Sequence, residues 1–178
     1  MRISARADYA VRAAVFLARG SLDERGSDEQ GSGPRVPGER VSAKQVPPQR
    51  ISGERIASEQ GIPASFLEGI LSALRKAGIV ESRRGAGGGY RLAAPAGEIS
   101  VADVIRAVDG PLVFVRDERP SELEYPAADS DLVTLWVALR ASVRRVLDDT
   151  SLEQLATGDL PAEVRALADD PSSWISGR

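Results

Sequence analysis

The 178-residue sequence contains neither cysteine nor histidine. That excludes disulfides, thiolate nucleophiles, imidazole general bases and the usual zinc and iron ligands at once. Few enzymes work under those terms. Aromatic residues make up only 4% of a chain that is 42% hydrophobic, so aliphatic side chains and alanine must fill the core, which favours helices. The length suits one ordinary soluble domain, or a compact domain with a dimerisation arm. No apolar run approaches the ~20 residues that a membrane helix needs, and the opening MRISARADYAVRAAVFLARG carries arginines throughout. Neither a secretion signal nor a membrane span is expected, and the cytoplasm is the expected compartment.

Net charge is −3, which looks wrong for a nucleic-acid binder until it is divided along the chain. Residues 1–91 carry 15 basic against 10 acidic side chains, and residues 92–178 carry 8 against 16. A polyanion would meet the first half and be repelled by the second.

Ala7, Ala10, Val11, Ala14, Leu17 and Ala18 recur at helical spacing and predict a first helix over residues 5–19. Gly, Pro, Ser and balanced charge then dominate from Gly20 to Arg50. Too little apolar surface is available there to offset ordering entropy, so residues 21–50 are expected to form a flexible insertion. Next comes ISGERIASEQGIPASFLEGILSALRKAGIV, residues 51–80. Ser52 suits the cap of a short helix with Ile56 and Ala57 inward, and Gly61 permits a tight turn. Pro63 suits the first turn of a second helix whose buried stripe is Leu67, Ile70, Leu71 and Leu74. Past Gly78 the pattern becomes two short strands, 79–83 and 90–93, around a glycine-rich turn. Ser100, with Asp103 as a variant capping box, opens a helix ending near Gly110. From Leu132 to Leu147, apolar positions including Leu135, Trp136, Leu139, Val143 and Val146 step by threes and fours. Such a stripe needs a partner surface. Beyond Asp148 come short apolar patterns at Leu152 and Leu155 and at Val164 and Leu167, then a loose end.

Two short helices joined by a glycine turn and followed by a hairpin describe a winged helix-turn-helix. The second helix leaves Ser65, Phe66, Glu68, Ser72, Arg75 and Lys76 facing out, groups able to meet cytosine amino groups, thymine methyls or phosphates. Any amphipathic helix has a polar outer face, so that face alone decides nothing. Arg83 and Arg84 stand just before the glycine-rich tip, where Gly87 and Gly88 let backbone approach a phosphate chain, and Arg91 adds a charge on the returning strand. An ordinary exposed turn would look similar. A nucleotide-binding loop is the sharper rival, but the run lacks the Lys-Ser/Thr of a P-loop and the spacing of a dinucleotide fingerprint.

Three blocks, MRISARADYAVRA, ASFLEGILSALRKAGIVESRRGAGGGYRL and ISVADVIRAVDG, resemble in order the signature segments of the Rrf2 family of bacterial regulators. The resemblance covers residues 1–20 and 51–112 closely and 132–155 loosely. It implies that Ser65, Phe66 and Glu68 read bases, Phe66 standing where a tyrosine is frequent, and that Arg83, Arg84 and the glycines to Gly89 form the wing. Arg2, Ser4 and Arg6 match a stretch that contacts the DNA backbone. Many members hold an iron–sulfur cluster through cysteines in the loop before the long helix. Here that loop reads VRDERPSELEYPAADSD, so no cofactor is expected. Glu118, Glu122 and Glu124 could weakly bind a hard cation, but an acidic loop is more often solvated surface. Cluster-free members respond through a protein partner or a small ligand, and Tyr125 and Trp136 could border such a site or simply fill the dimer core.

The expected fold is mainly α with a small β-hairpin: a winged helix-turn-helix domain over residues 1–112, a loop and dimerisation helix over 113–155, and a C-terminal tail over 156–178. The expected function is that of a homodimeric transcription regulator, a repressor more than an activator, binding a palindromic operator in double-stranded DNA. Leu132, Leu135, Trp136, Leu139, Val143 and Val146 would pair the protomers. The alternative is a winged-helix protein-interaction module without DNA binding. An enzyme using only carboxylates and arginine ranks last.

Overall fold

Small side chains decide how the first helix packs. Ala7, Ala10, Ala13, Ala14 and Ala18 are buried on α1 (Ala5–Gln30), and so little side chain lets neighbouring backbones approach closely. The computed structural model describes residues 3–30, 50–116 and 118–175. Burial on α1 spreads beyond the expected stripe: Ala13 and Val15 are inside, while Val11 is only half-buried. The reason is that α1 is packed by several elements at once.

The helix also runs past Gly20 to Gln30, so the stretch expected to be a flexible insertion begins as helix. Gly20 is a packing site and not a stop. A Cβ there would come within 2.8 Å of Ile51 Cδ1, and no proline interrupts the hydrogen-bond ladder before Pro34. The remainder of the expected insertion, residues 31–49, lies outside the described residues.

Helix α2 (Gly53–Gln60) opens on Ser52, whose Oγ accepts from the Arg55 N–H at 3.2 Å, and closes on Gly61 in the left-handed region. Helix α3 (Ala64–Lys76) follows. Pro63 sits one position ahead of the expected first turn, as the cap residue, and its carbonyl accepts from the N–H groups of Phe66 and Leu67, both at 3.0 Å. Leu67, Ile70, Leu71 and Leu74 are buried, as their spacing predicts. Strands β1 (Val80–Arg83) and β2 (Gly89–Leu92) pair antiparallel, Val80 opposite Leu92 and Arg83 opposite Gly89. Ile51 exchanges backbone hydrogen bonds with Tyr90 at 2.9 and 2.8 Å, which ties the hairpin to the residue before the α2 cap.

Helix α4 (Val101–Asp109) begins with the expected capping box. Ser100 Oγ accepts from the Asp103 N–H, and Asp103 Oδ2 accepts from the Ser100 N–H, each at 3.1 Å. A second box, Ser151 with Gln154, starts α6 (Leu152–Thr157), and the fully buried Leu152 packs into the common core. Between them α5 (Asp131–Asp148) buries no residue at all. The region expected to be tail carries a further helix, α7 (Ala162–Asp169). Arg145 holds it to α5 by donating twice to Glu163, both bonds at 2.9 Å. Both side chains are exposed, so the pair orients α7 more than it stabilises it. The architecture is mainly helical with one two-stranded sheet, as expected. No helix among the described residues is long and apolar enough to cross a membrane.

Candidate nucleic-acid interface

Because Leu67, Ile70, Leu71 and Leu74 turn one face of α3 into the core, the opposite face is forced outward. Ser65, Phe66 and Glu68 are exposed at its start and Arg75 and Lys76 at its end, while Ser72 is half-buried. The two groups are not equivalent. At 1.5 Å per residue they stand roughly 15 Å apart, and Arg75 leans toward the hairpin, its Nη1 3.4 Å from Ser82 Oγ. Cations at a helix C-terminus also complement the helix dipole, so Arg75 and Lys76 have a local reason to be there.

A groove runs between the start of α2, the Ala64–Leu71 flank of α3 and the hairpin, with Ser52, Glu54, Glu68, Arg83 and Gly88 among its lining residues. The sequence-predicted reading residue Glu68 and the wing arginine Arg83 therefore border one concavity. At the hairpin tip Gly87 has φ 72, a conformation that L side chains rarely adopt, and a Cβ on Gly88 would collide with the Arg83 carbonyl oxygen.

Ion pairing sorts the arginines. Arg6, Lys76, Arg83 and Arg84 form no ion pair among the described residues, whereas Arg91 donates through Nε and Nη2 to Glu81 Oε2 at 2.9 and 2.8 Å. Arg50 approaches the same oxygen at 3.4 Å. The expected third wing charge at Arg91 is thus largely neutralised by the residue directly across the sheet. The hydrogen bonds and charge of Arg91, with those of Arg50, hold the Glu81 carboxyl below its ordinary 4.5 against the opposing effect of burial. A carboxyl depressed in the folded state stabilises fully above its unfolded value, and the gain is lost as pH falls through the folded value. Glu81→Gln is therefore expected to lower the urea midpoint at neutral pH, with variant and wild type converging as pH drops below 4.5. Parallel curves down to acid would remove the pair from the wing's stability.

At the N-terminus, Arg2 lies outside the described residues and Arg6 is exposed. Ser4 caps α1: its Oγ accepts from the Ala7 N–H at 2.9 Å and donates to Asp109 Oδ2 at 2.5 Å. Its hydroxyl proton is already committed. Residues that no motif marks in the sequence stand beside this end of α3. The Tyr9 and Phe66 rings meet edge-to-face, centroids 6.2 Å apart at 82°. The Arg12 guanidinium lies 5.6 Å from the Tyr9 centroid, 3.6 Å from Asp8, and donates to the Gln60 carbonyl. Only an assumed packing of α1 on α3 could have brought them together on paper.

On α5 the expected pairing stripe is uncovered in the single chain. Leu135 is 55% and Leu139 40% exposed, and Leu132, Trp136, Val143 and Val146 are half-buried. Trp136 Nε1 donates to Oη of Tyr125 in the preceding loop at 3.2 Å, and the Arg116 guanidinium lies 5.0 Å from the Tyr125 centroid. Glu118, Glu122 and Glu124 are exposed there, and Glu122 faces Arg119 at 3.7 Å.

Comparison with known proteins bears on the family and the fold. Residues 41–158 match the family model Rrf2, described as an iron-dependent transcriptional regulator. A Mycobacterium tuberculosis protein, Rv1287, named as an HTH-type transcriptional regulator, is 44% identical over 178 residues, all of this chain and 95% of its own. The HTH-type regulator CymR of Bacillus subtilis is 41% identical over 95 residues, 52% of this chain and 62% of its own. Among solved structures, B. subtilis CymR, titled the global cysteine regulator, superposes with a TM-score of 0.63 at 30% identity, covering 89% of this chain and 98% of that one. IscR of T. potens gives a TM-score of 0.58 at 25% identity over 100% and 94%.

Proposed function

Since this chain belongs to the Rrf2 family of transcriptional regulators, we propose that it acts in the cytoplasm as a homodimeric repressor. In this reading it occupies a palindromic operator with one α3 helix in the major groove of each half-site. The carrying observation is the shared groove: Glu68 on α3 and Arg83 on the wing line one concavity, and Arg83 and Arg84 keep charges that no carboxylate among the described residues takes up. Ser65, Phe66 and Glu68 read base edges. Arg6, Arg75, Lys76, Arg83 and Arg84, with the backbone at Gly87 and Gly88, hold the phosphates. Arg2 would join them from the N-terminus, whereas Ser4 serves the interface by fixing the start of α1.

The donor chemistry of the loop before α5 does not fit an iron–sulfur cluster. The sequence offers no thiolate and no imidazole, and no trio of carboxylates among the described residues is gathered where it could hold a metal ion. The proposed regulator is therefore cluster-free and answers to a small-molecule or protein effector. Selection of genomic fragments by the purified chain at near-physiological salt tests the whole reading. A single palindromic motif is expected, unchanged when a chelator is present. Recovery of random fragments, with a protein partner captured from extract instead, would favour an interaction module. Motif loss with chelator would reinstate a metal.

Within that motif Glu68 has one role, accepting from a cytosine amino group. Glu68→Ala is expected to relax preference at one position per half-site by about 1–3 kcal/mol while leaving the rest of the motif intact. An unaltered motif from the variant would remove Glu68 from base readout.

A further inference from the structure

An exposed phenylalanine at the tip of a recognition helix has a problem of aim. Phe66 is 53% exposed and lies in the first turn of α3. The Tyr9 ring of α1 meets it edge-to-face, with centroids 6.2 Å apart. Tyr9 is itself held by the Arg12 guanidinium at 5.6 Å. Arg12 in turn donates to the carbonyl of Gln60, the last residue of α2, and so reaches the turn from which α3 departs. Tyr9, Arg12, Gln60 and Phe66 thus close a circuit from α1 through the helix-turn-helix turn to the reading face.

We infer that Tyr9 is a positioning residue for base readout: its ring seats Phe66 so that the exposed half of that ring meets a thymine 5-methyl group in the major groove. This rests on the DNA-binding reading above and adds a chemical class of contact to it. An apolar ring can distinguish a pyrimidine bearing that methyl from one lacking it, which a carboxylate or a phosphate-binding arginine cannot. A methyl buried against a ring adds about fourfold in affinity. The T-shaped contact favours one orientation of Phe66, so the discrimination should fall on one base step per half-site.

The test replaces thymine by uracil, one base pair at a time, in the operator recovered by genomic selection. Binding is measured for the wild type, Phe66→Ala, Tyr9→Leu and Tyr9→Phe. Wild type should lose about fourfold at one position in each half-site. Phe66→Ala and Tyr9→Leu should be indifferent there, with salt dependence unchanged, and Tyr9→Phe, which keeps the ring, should behave as wild type. A merely structural role for Tyr9 would lower affinity at every position alike. Discrimination that survives in Tyr9→Leu, or is lost in Tyr9→Phe, overturns the positioning role while leaving DNA binding standing. Wild-type indifference to uracil at every position overturns the thymine contact. Failure to select any operator overturns the functional reading, and this inference with it.

Discussion

Replacing Arg83 and Arg84 together by alanine should weaken binding to every duplex, operator or random, by roughly ten- to a hundredfold at physiological salt. The slope of log affinity against log salt should flatten by about 1.8, the contribution of two phosphate contacts. Both side chains are exposed and unpaired among the described residues, so neither must break an internal ion pair before meeting a phosphate, and removing them leaves no buried charge behind. The fold should therefore be unaffected, and a thermal melt matching the wild type is part of the expected result. Arg165→Ala is the matched control. That guanidinium already serves the Leu160 and Gly158 carbonyls and Asp159 in the acidic half of the molecule. It should leave the salt slope alone. An unchanged slope in the double variant would move the phosphate contacts off the hairpin, and with them the wing assignment.

What could be foreseen from the sequence was local. Ser52, Ser100 and the stripe from Leu67 to Leu74 are set by spacing within one or two helical turns, and the structure places each as the spacing predicts. Gly20 shows where such reading stops. A glycine after an alanine-rich helix suggests an end, yet its reason here is the Ile51 side chain, which arrives from beyond residues 31–49. Ser4 likewise looks like a phosphate ligand until Asp109, at the far end of α4, accepts the hydrogen bond from its hydroxyl. Arg91 counts as a positive charge until the sheet register sets it opposite Glu81. In each case the missing information was a partner distant in sequence. The candidate interface was legible in its residue types because α3 and the hairpin are each continuous segments. Tyr9 was not, because its contribution comes from a helix with another job in the core.

Charge at the centre of the α5 stripe should divide the proposed dimer. Helix α5 is 18 residues long and buries none of them, although a stripe of threes and fours runs its length. Leu147 packs on the core, but most of the stripe is left uncovered by the rest of the chain, and a second copy would bury it. If two copies pair α5 about a twofold axis, the same leucine lies near its counterpart in each, and Leu139→Glu places two carboxylates in a desolvated seam. Light scattering should then report monomers. Operator affinity should fall by about two to four orders of magnitude, because each half-site must now be bound without the tether to the other. Half-site duplexes should bind the variant and the wild type alike, since Leu139 is remote in the chain from α3 and the wing. Val137→Glu is the control: Val137 is 41% exposed, close to the 40% of Leu139, but two positions along the helix it faces away from the stripe. A new charge there should leave the dimer intact. If both variants remain dimeric, α5 is not the seam; if both fall apart, the interface wraps the helix more widely than one stripe.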